Sequence, residues 1–345
     1  MKYSIIVPVY NRPNEVGELL ESLTRQTCRD FEVIIVEDGS SVTSSAICAD
    51  YENRLDLHYF SKENSGPGQS RNYGAERAAG EWLIVLDSDV VLPEGYLAAA
   101  DSSLQENACD AWGGPDAAHE SFTPVQKAIS YSMTSFFTTG GIRGGKAKLD
   151  KFYPRSFNMG IRRSVYQELG GFSKMRFGED IDFSYRIVEA GYKTRLIPQA
   201  WVWHKRRTDF RKFFRQVYNS GIARINLAKR HPGTLKLVHL LPAVFTVGVI
   251  ALIVLSAVGR ALMYYVDADS YYWMCFAPWI PILLYALIIF ADSSVQSRSL
   301  RVGLLSVPAA FTQLMGYGLG FIESWWKRQV LGQDEYTAFE NTFYK

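Results

Sequence analysis

Cysteine is scarce in this chain, and the four cysteines are placed for neither a disulfide framework nor a paired motif. Cys28, Cys48, Cys109 and Cys275 form no C-x-x-C pair and no closely spaced series. A disulfide-stabilised domain is therefore disfavoured, and we expect reduced cysteines that act as packing residues.

The start of the chain lacks the pattern of a cleavable secretory signal. Met1-Lys2-Tyr3 leads directly into SIIVPVY, an apolar run that is too short for the hydrophobic part of such a signal. We expect this run to be a first buried strand, and the soluble part of the chain to stay in the cytoplasm.

Net charge is also small, at +2 over 345 residues, so the chain as a whole favours no charged partner. The charges are unevenly distributed, however. Between Lys205 and Lys236 lie ten lysines and arginines against a single acid, Asp209. A basic band of this kind is typical of a surface that faces nucleic acid or anionic lipid.

Three uncharged runs follow the basic band and favour lipid over nucleic acid. Leu240–Gly259 and Tyr271–Ala291 are each long enough to cross a hydrocarbon core about 30 Å thick, and we expect both to span. Val302–Ile322 is also uncharged but contains Pro308 and four glycines. It suits a third span, which we favour, or else a re-entrant or buried hairpin.

The placement of charge predicts how these runs are oriented. The basic band should hold the start of the first span in the cytoplasm, and the next loop, with Asp267 and Asp269 against Arg260, suits the far side. The second span then returns Arg298 and Arg301 to the cytoplasm. With three spans the tail ends outside, whereas a re-entrant third run would return it to the cytoplasm.

Strand-like and helix-like segments alternate from residue 2 to about 115. Apolar runs such as YSIIVPVY, FEVIIVED and EWLIVLDSD are separated by segments with apolar residues at helical spacing, such as Asn14–Thr27. This alternation predicts βαβ units and a mostly parallel sheet, and so an α/β fold of the kind that binds nucleotides. The stretch TTGGIRGGKAK, Thr138–Lys148, does not fit the spacing of a phosphate-binding P-loop, and we expect a mobile surface loop there.

An acidic pair, Asp87 and Asp89, directly follows the apolar run Leu83–Leu86. Ligands of open α/β sheets bind beyond the carboxyl ends of the strands, so the pair is placed to hold something positively charged. Taken alone, the pair fits a solvated turn equally well, because aspartate and serine are ordinary turn residues. Farther on, Glu179 and Asp180 lie in the first turn of a predicted helix, where the helix dipole favours anions.

Four segments stand in one order: a strand ending VPVYN, a strand ending VEDGS, a strand ending LDSD and a downstream GED. In this combination the chain resembles glycosyltransferase family 2, the inverting nucleotide-sugar transferases with a GT-A fold. The longer segments that bear the resemblance are SIIVPVYNRPNEVGELLESLTRQTCRDFEVIIVEDGS, GPGQSRNYGAERAAGEWLIVLDSDV and NMGIRRSVYQELGGF, within residues 2–230. The resemblance implies a nucleotide-sugar-binding GT-A domain, which is followed here by a helical transmembrane region.

We expect four parts along the chain. They are a GT-A catalytic domain at 1–207, a basic amphipathic interfacial segment at 208–238, a transmembrane region of two to three spans at 239–323 and a tail at 324–345. The interfacial segment mixes Phe210, Phe213 and Phe214 with arginines and lysines, a pattern typical of a helix at lipid headgroups. Gln216 partly matches the Q-x-x-R-W motif of processive synthases, but the Arg and Trp do not follow.

The resemblance implies a divalent cation, Mg²⁺ or Mn²⁺, as cofactor. Asp89 corresponds to the direct metal ligand, and Asp87 to a residue that contacts the ribose or a metal-bound water. A cation there neutralises the charge that grows on the diphosphate leaving group. His204, in WVWHKRR, could complete the metal site, or it could be a histidine that merely packs beside the tryptophans.

The residues that bind the nucleotide are also carried over by resemblance. Asp38 matches the carboxylate that reads the base, and it could accept a hydrogen bond from a uracil-like N–H, which favours a UDP-sugar. Glu37 stands where the family usually has Asp, and the longer arm leaves its role open. Arg71 reaches the nucleotide, or else it is a surface ion-pair partner. The rest of the expected set is Pro8 and Tyr10, which would line the base pocket, together with Asn11 and Ser88.

Transfer to a hydroxyl needs a base that takes the proton as the anomeric carbon becomes oxocarbenium-like, and a carboxylate opposite the leaving group suits this task. By resemblance Asp180 is this base, with Asp182 as the alternative, and Glu179 is an orienting neighbour. Either assignment predicts inversion, so that an α-linked donor gives a β-linked product.

The sequence thus predicts a metal-dependent inverting glycosyltransferase that moves one sugar from a nucleoside-diphosphate sugar to a lipid-linked or glycolipid acceptor. We expect a multi-pass protein of the cytoplasmic membrane whose catalytic domain faces the cytoplasm, with membrane lipids and no nucleic acid as partners. A polyprenyl-phosphate glycosyltransferase and a processive polysaccharide synthase are the alternatives. A nucleotidyltransferase would have a G-x-G-T-R loop near the first strand, which is not found, and a non-catalytic scaffold would not need Asp89 and Asp180 together.

Overall fold

The computed structural model describes residues 1–117, 122–140, 152–205, 207–266 and 271–335. Among these, the chain divides into a first unit, 1–117 with 152–205, and a second unit, 122–140 with 207–266 and 271–335. Most of the stretch TTGGIRGGKAK, from residue 141 onward, lies outside the described residues. So do residues 267–270 of the loop after the first predicted span, and the tail after residue 335.

The first unit contains ten strands and six helices among its described residues. The strands are β1 (Tyr3–Val9), β2 (Phe31–Asp38), β3 (Leu57–Lys62), β4 (Trp82–Leu86), β5 (Val90–Val91), β6 (Ala111–Gly113), β7 (Asp116–Ala117), β8 (Asn158–Arg162), β9 (Thr194–Leu196) and β10 (Val202–His204). The helices are α1 (Pro13–Thr24), α2 (Ser45–Ala49), α3 (Pro67–Ala75), α4 (Tyr96–Glu106), α7 (Arg163–Glu168) and α8 (Glu179–Glu189).

The strands form a seven-stranded sheet in the order β3-β2-β1-β4-β8-β6-β9 and a three-stranded sheet in the order β5-β10-β7. In the larger sheet β1 is parallel to β2 and β4, β2 to β3, and β6 to β9, whereas β8 is antiparallel to both of its neighbours. The mostly parallel sheet that the alternating segments predicted is thereby confirmed.

Apolar side chains on both faces hold the larger sheet between helices. Every residue of β2 is buried, including its three acidic residues, as expected for a strand that is covered on both sides. In β1, Ile5 and Val7 pack in one core with α1 and α4, while Ile6 packs in the other with α7 and α8. This alternation follows from the two-residue period of a strand. The two cores cover the faces of the sheet, so the loops at the strand ends are the part of the sheet that can form a site.

The second unit is helical throughout its regular structure. Its helices are α5 (Pro124–Thr134), α6 (Phe136–Thr139), α9 (Phe210–Arg230), α10 (Leu241–Val266), α11 (Tyr272–Phe276), α12 (Trp279–Ser297) and α13 (Leu300–Trp325), with a 3₁₀ turn at Leu237–His239 and a π-helical turn at Trp326–Val330. Among the described residues, three stretches are long and apolar enough to cross a membrane: Leu237–Tyr265, Tyr272–Ser297 and Leu300–Val330, with mean hydropathies of 2.6, 2.2 and 1.3. Their length and composition indicate a protein that associates with a membrane.

Two placements in the second unit differ from the expected division of the chain. Residues 122–140 fall within the expected catalytic domain, but α5 belongs to the second unit because Ile129 and Met133 pack against Phe213 and Val217 of α9. For the same reason, part of the aromatic side of α9 that we expected to face lipid is covered by protein. Such pairings between distant segments leave no periodic signal in the sequence.

Candidate active site

The candidate site lies at the edge of the larger sheet where β1, β2 and β4 end. Asp87, Ser88 and Asp89 form the turn between β4 and β5, and Ser88 and Asp89 are buried. β1 ends just before Tyr10, and β2 ends at Asp38. Because these strands are parallel neighbours, three of the segments singled out from the sequence meet at one edge.

Asp87, Asp89 and His204 form a compact group at this edge. A ligand atom from each lies within 4.8 Å of the others. His204 Nε2 is 3.2 Å from Asp89 Oδ1 and 3.8 Å from Asp87 Oδ2. Two carboxylate oxygens and an imidazole nitrogen form a donor set that suits Mn²⁺, and the carboxylates alone suit Mg²⁺. The residues present therefore fit a divalent cation.

The small sheet brings His204 to this group. In the β10–β5 pairing His204 lies opposite Val90, the residue that directly follows Asp89. The imidazole ring also stacks on Phe157, with ring centroids 5.1 Å apart, and this contact limits its rotation. Backbone pairing and stacking together aim Nε2 at the two carboxylates.

Arg12 is a site residue that the sequence analysis missed. Its guanidinium pairs with Asp89 from the residue just before α1. The preceding Asn11 has a φ of 53°, a left-handed conformation that asparagine tolerates better than most residues. Asn11 Oδ1 accepts a hydrogen bond from the N–H of Val42 at 2.9 Å, so Asn11 ties the loop after β1 to the loop after β2. The sequence signal that could have identified Arg12 is its position directly after the motif VPVYN.

Arg71 connects the turn after β4 to the start of α8. Its Nη2 lies 2.8 Å from Asp87 Oδ1, and its Nη1 lies 3.0 Å from Glu179 Oε1. Arg71 is only 3% exposed, which rules out the surface ion pair that the sequence left open. Burial raises the pKa of Glu179 to about 7. The charge of Arg71 opposes this rise, and repulsion from Asp180 adds to it.

Asp180 is held by Arg155, a second arginine that the sequence analysis did not single out. Arg155 Nε lies 2.6 Å from Asp180 Oδ2, and the N–H of Ile181 donates to Asp180 Oδ1 at 2.9 Å. Burial acts to raise the pKa of Asp180, but the charge and hydrogen bond of Arg155, together with the charge of Arg71 and the N–H of Ile181, hold that pKa below its usual value. Asp180 is therefore ionised at neutral pH.

Asp182, the alternative base, is engaged elsewhere. Its Oδ2 accepts hydrogen bonds from Ser173 Oγ at 2.8 Å and from Arg186 Nε at 3.0 Å, and the residue is 3% exposed. These contacts tie the segment before α8 to the helix. Asp180, in contrast, directly follows Glu179, which Arg71 connects to Asp87, and this position favours Asp180 over Asp182 as the base.

Replacing Arg155 should move the acidic limb of the pH–rate profile to higher pH. Arg155→Gln removes the charge and hydrogen bond that do most to lower the pKa of Asp180, so this pKa rises and the carboxylate is protonated at pH values where it is ionised in the unmodified protein. The measurement is kcat between about pH 4 and about pH 8. Arg162→Gln, which removes a surface cation paired with Glu81, is the matched control and should not shift the limb. An unshifted limb in Arg155→Gln would contradict this role.

Glu37 is a fully buried hydrogen-bond acceptor below the loop after β2. Its Oε2 accepts from Ser44 N at 2.8 Å and from Ser44 Oγ at 2.5 Å, and its Oε1 accepts from Ser40 Oγ. Tyr59 Oη donates to the same carboxylate at 3.3 Å. These contacts place Glu37 as a support of the loop that leads from β2 into α2.

Shortening this side chain should destabilise the first unit. In Glu37→Asp the carboxylate cannot reach all of its buried donors, and unsatisfied polar groups should lower the free energy of unfolding by about 1–3 kcal/mol. Denaturant unfolding of the purified protein in detergent measures the change. Glu63→Asp is the matched control because Glu63 is exposed, and it should leave stability unaltered. Equal stability of the two variants would contradict the supporting role.

Asp38 is held in place at the end of β2. Its Oδ1 accepts from the N–H of Ser65 and its Oδ2 from the N–H of Gly66, each at 2.9 Å, and its carboxylate also pairs with Lys62. Pro8 and Tyr10, at the end of the neighbouring β1, are half-buried. The residues expected to surround the nucleotide base thus lie at two adjacent strand ends.

A model of the family Glycosyl transferase family 2 matches residues 4–170. The matched segment includes Asp38, Asp87 and Asp89, whereas Asp180 and His204 lie beyond it. Because α8 and β10 follow the match, their placement in the site rests on the structure of this chain.

Curated proteins similar to this chain are described as glycosyltransferases. A pre-mycofactocin glycosyltransferase of Mycobacterium tuberculosis is 27% identical over 283 residues, which cover 75% of this chain and 53% of the relative. The poly(ribitol-phosphate) beta-N-acetylglucosaminyltransferase TarS of Staphylococcus aureus is 36% identical over 114 residues, which cover 32% of this chain and 20% of the relative. The chain also spans only 18% of the length of an uncharacterised glycosyltransferase of Rickettsia felis.

Among solved structures, the mannosyltransferase PcManGT of Pyrobaculum calidifontis, in complex with GDP-Man and Mn²⁺, is similar to this chain. The TM-score is 0.58 at 16% sequence identity, and the match covers 95% of this chain and 88% of the other. At this identity the likeness concerns the fold alone.

Proposed function

We propose, from the match of residues 4–170 to a model of glycosyl transferase family 2, that the chain is a metal-dependent inverting glycosyltransferase. In this proposal it moves a single sugar from a nucleoside-diphosphate sugar to a lipid-linked acceptor. The observation that carries the proposal is the group formed by Asp87, Asp89 and His204, which Arg71 joins to Glu179 beside Asp180.

The metal part of the proposal rests on the donor set at the end of β4. Asp89 and His204 would hold a divalent cation, with Asp87 beside them, and Arg12 adds a positive charge next to the same carboxylates. A bound Mg²⁺ or Mn²⁺ supplies charge that stabilises the departing diphosphate. Arg71 keeps Asp87 and Glu179 in fixed positions, so little reorganisation is needed when donor binds.

The proposed base is Asp180. Its ionised carboxylate can accept the proton of an attacking hydroxyl, and Arg155 and the N–H of Ile181 hold its orientation. One base acting in a single displacement gives inversion at the anomeric carbon. A β-linked product agrees with this, and the name of the Staphylococcus aureus relative states a beta linkage.

The proposed donor is a UDP-sugar. Asp38 is the acceptor that would read the N–H of a uracil, with Pro8 and Tyr10 beside the base, and Asn11, Glu37 and Ser88 positioning the loops and turn around the nucleotide. Asp38 is already held by Ser65, Gly66 and Lys62, so the direction of its carboxylate is fixed before ligand binds. GDP-sugars form the comparison set for this assignment.

The lipid-linked acceptor and the cytoplasmic membrane are proposed from the second unit. Its apolar helices would keep the enzyme where a lipid-borne hydroxyl or phosphate arrives, and the basic band would hold the catalytic domain on the cytoplasmic side. A phosphate acceptor, as in a polyprenyl-phosphate glycosyltransferase, is the runner-up. A processive synthase is less favoured because only Gln216 of its motif is present.

A donor panel tests the proposal. Purified protein in detergent is incubated with UDP- and GDP-sugars, Mn²⁺ or Mg²⁺, and either a lipid extract or soluble sugars, and release of nucleoside diphosphate is measured. We expect release with at least one UDP-sugar, increased by the lipid extract and abolished by chelator. Release that only soluble sugars increase would contradict the lipid acceptor, and release unaffected by chelator would contradict the metal.

A further inference from the structure

We propose that the chain crosses the membrane twice, through α10 and α12, and that α13 lies along the membrane surface. In this arrangement α5, α9 and α13 form a surface layer that rests on anionic lipid at the side where α10 begins and α12 ends. The inference does not depend on the proposed reaction. Length and composition alone allow three crossings, but the contacts of α13 favour two.

The start of α13 lies beside the end of α12, and the end of α13 lies beside the start of α10. These two points are on the same side of a membrane that α10 and α12 both cross. Its first half follows α12 closely, and Ser293 Oγ and Ser306 Oγ are 2.7 Å apart. Toward its other end, Phe321 is buried in one cluster with Ala243, in the first turn of α10. If α10 and α12 cross in opposite directions, the start of one and the end of the other share a side. A helix that reaches both of these points returns to that side without crossing.

The middle of α13 is consistent with this path. Phe311 contacts Phe245, in the second turn of α10, with ring centroids 5.6 Å apart. Thr246 Oγ1 lies 3.4 Å from the carbonyl oxygen of Leu314, and a Cβ on Gly318 would lie 2.4 Å from the carbonyl oxygen of Pro242. The middle of α13 therefore meets α10 within the first turns of that helix, near the membrane surface.

α9 runs beside α13 over most of its length. Phe210 packs in one cluster with Ala309, and a Cβ on Gly221 would lie 2.2 Å from the carbonyl oxygen of Tyr317. Farther along, Arg328 Nη1 donates to Asn226 Oδ1 at 2.5 Å. The contacts follow the same order in both sequences, so the helices are parallel neighbours. Whatever depth α13 has in the membrane, α9 must share it.

α9 contains too many cations to lie within hydrocarbon. Six lysines and arginines are distributed along it: Arg211, Lys212, Arg215, Arg224, Lys229 and Arg230. An arginine or lysine at the centre of a membrane helix is strongly unfavourable, and six of them on one helix are more so. At the membrane surface the same side chains are instead attracted to anionic headgroups. The charge of α9 thus places both helices at the surface.

The exposure of α13 differs from that of a helix surrounded by lipid. None of its residues from 309 to 324 is exposed, whereas α10 exposes large apolar side chains such as Val244, Val247 and Ile250. Large apolar residues are exposed near the two ends of α13, and they include Leu300, Leu304, Trp325 and Trp326. Tryptophans at a helix end are typical of the boundary between membrane and water.

The positions of positive charge agree with two crossings. With two crossings, Lys327 and Arg328 stay on the side of the basic band, together with Arg298 and Arg301. A third crossing would move Lys327 and Arg328 to the far side, against the usual preference of lysine and arginine for the cytoplasmic side.

Cysteine labelling tests the arrangement. The full chain, with its four native cysteines replaced by alanine, receives one new cysteine at an exposed position, as Lys212→Cys, Tyr265→Cys or Gln333→Cys. Intact cells and inside-out vesicles are each treated with an impermeant maleimide. We expect Gln333→Cys and Lys212→Cys to be labelled in the same preparation and Tyr265→Cys in the other. Any other pattern overturns the proposal, and labelling of Gln333→Cys together with Tyr265→Cys would establish the third crossing.

A second measurement needs no cysteine replacement. The unaltered chain is fused at its C-terminus to green fluorescent protein, which folds in the cytoplasm, or to alkaline phosphatase, which is active only outside it. We expect fluorescence without phosphatase activity. Phosphatase activity without fluorescence would overturn the two-crossing arrangement. Neither readout depends on catalysis, so an inactive enzyme with this topology would contradict only the proposed function.

Discussion

Asp180→Asn should leave a folded protein that binds a nucleoside-diphosphate sugar normally but transfers the sugar about 10²- to 10⁴-fold more slowly. The amide keeps the shape of the side chain but cannot take a proton from the acceptor. A base acts in the transition state and adds little to ground-state affinity, so the loss should appear in kcat. Initial rates and calorimetric titration of donor separate the two quantities.

Asp182→Asn is the matched control for this prediction. Both carboxylates lie near the start of α8, but Asp182 bonds to Ser173 and Arg186, so its loss should affect stability more than rate. A collapse of kcat in Asp182→Asn with an active Asp180→Asn would show that the base has been placed two residues too early. Equal loss of donor affinity in Asp180→Asn would argue against a base at that position.

Asp89→Asn should weaken donor binding and also lower transfer by about 10³-fold or more, because an amide cannot supply the charge that a divalent cation requires. The two effects should occur together, unlike those of Asp180→Asn. Donor affinity and initial rates, each measured with Mn²⁺ and with chelator, are the observables. Asp110→Asn, which removes a carboxylate near the surface cation Arg162, serves as the control and should behave like the unmodified protein. Full activity of Asp89→Asn in excess chelator would contradict both the metal and the site.

The parts of the fold that were predictable from sequence are those with a local signal. β1, β2 and β4 each contain an apolar run of three to five residues, and a buried parallel sheet is built from such runs. The acidic turn after β4 and the acidic first turn of α8 follow directly from their neighbours in the chain. The α/β class and the order of the motifs could therefore be derived before any contact was known.

The contacts that complete the site have no comparable signal. His204 reaches Asp89 through β10 and β5, strands of three and two residues that are too short to show a period. Arg155 and Arg12 pair with carboxylates that lie 25 and 77 residues away in the chain, and an arginine outside a helix or strand is usually a solvated residue. In the sequence, Glu37 looks like a residue that binds the nucleotide. Its supporting role is revealed by the hydrogen bonds that it accepts from the hydroxyls of Ser40 and Ser44 in the loop above it.

For the membrane helices, too, contacts between distant parts of the chain could not be predicted from the sequence. The hydropathy of α10 and of α13 allows each to span, and composition alone does not separate a helix surrounded by lipid from one covered by protein. The difference lies in the neighbours of α13, above all the cationic α9. Glycines allow the close helix contacts: Gly221 of α9, and Gly318 and Gly320 of α13 itself. Those neighbours are known only once the chain is folded.

The central claim is that Asp89 and His204, with Asp87 beside them, bind donor through a divalent cation. Its most direct test is calorimetric titration of UDP into the purified full chain with Mn²⁺ present and, separately, with chelator. We expect binding at least about tenfold tighter with Mn²⁺, a difference of about 1.4 kcal/mol, and loss of that difference in Asp89→Asn. Equal affinity for UDP with Mn²⁺ and with chelator would contradict it.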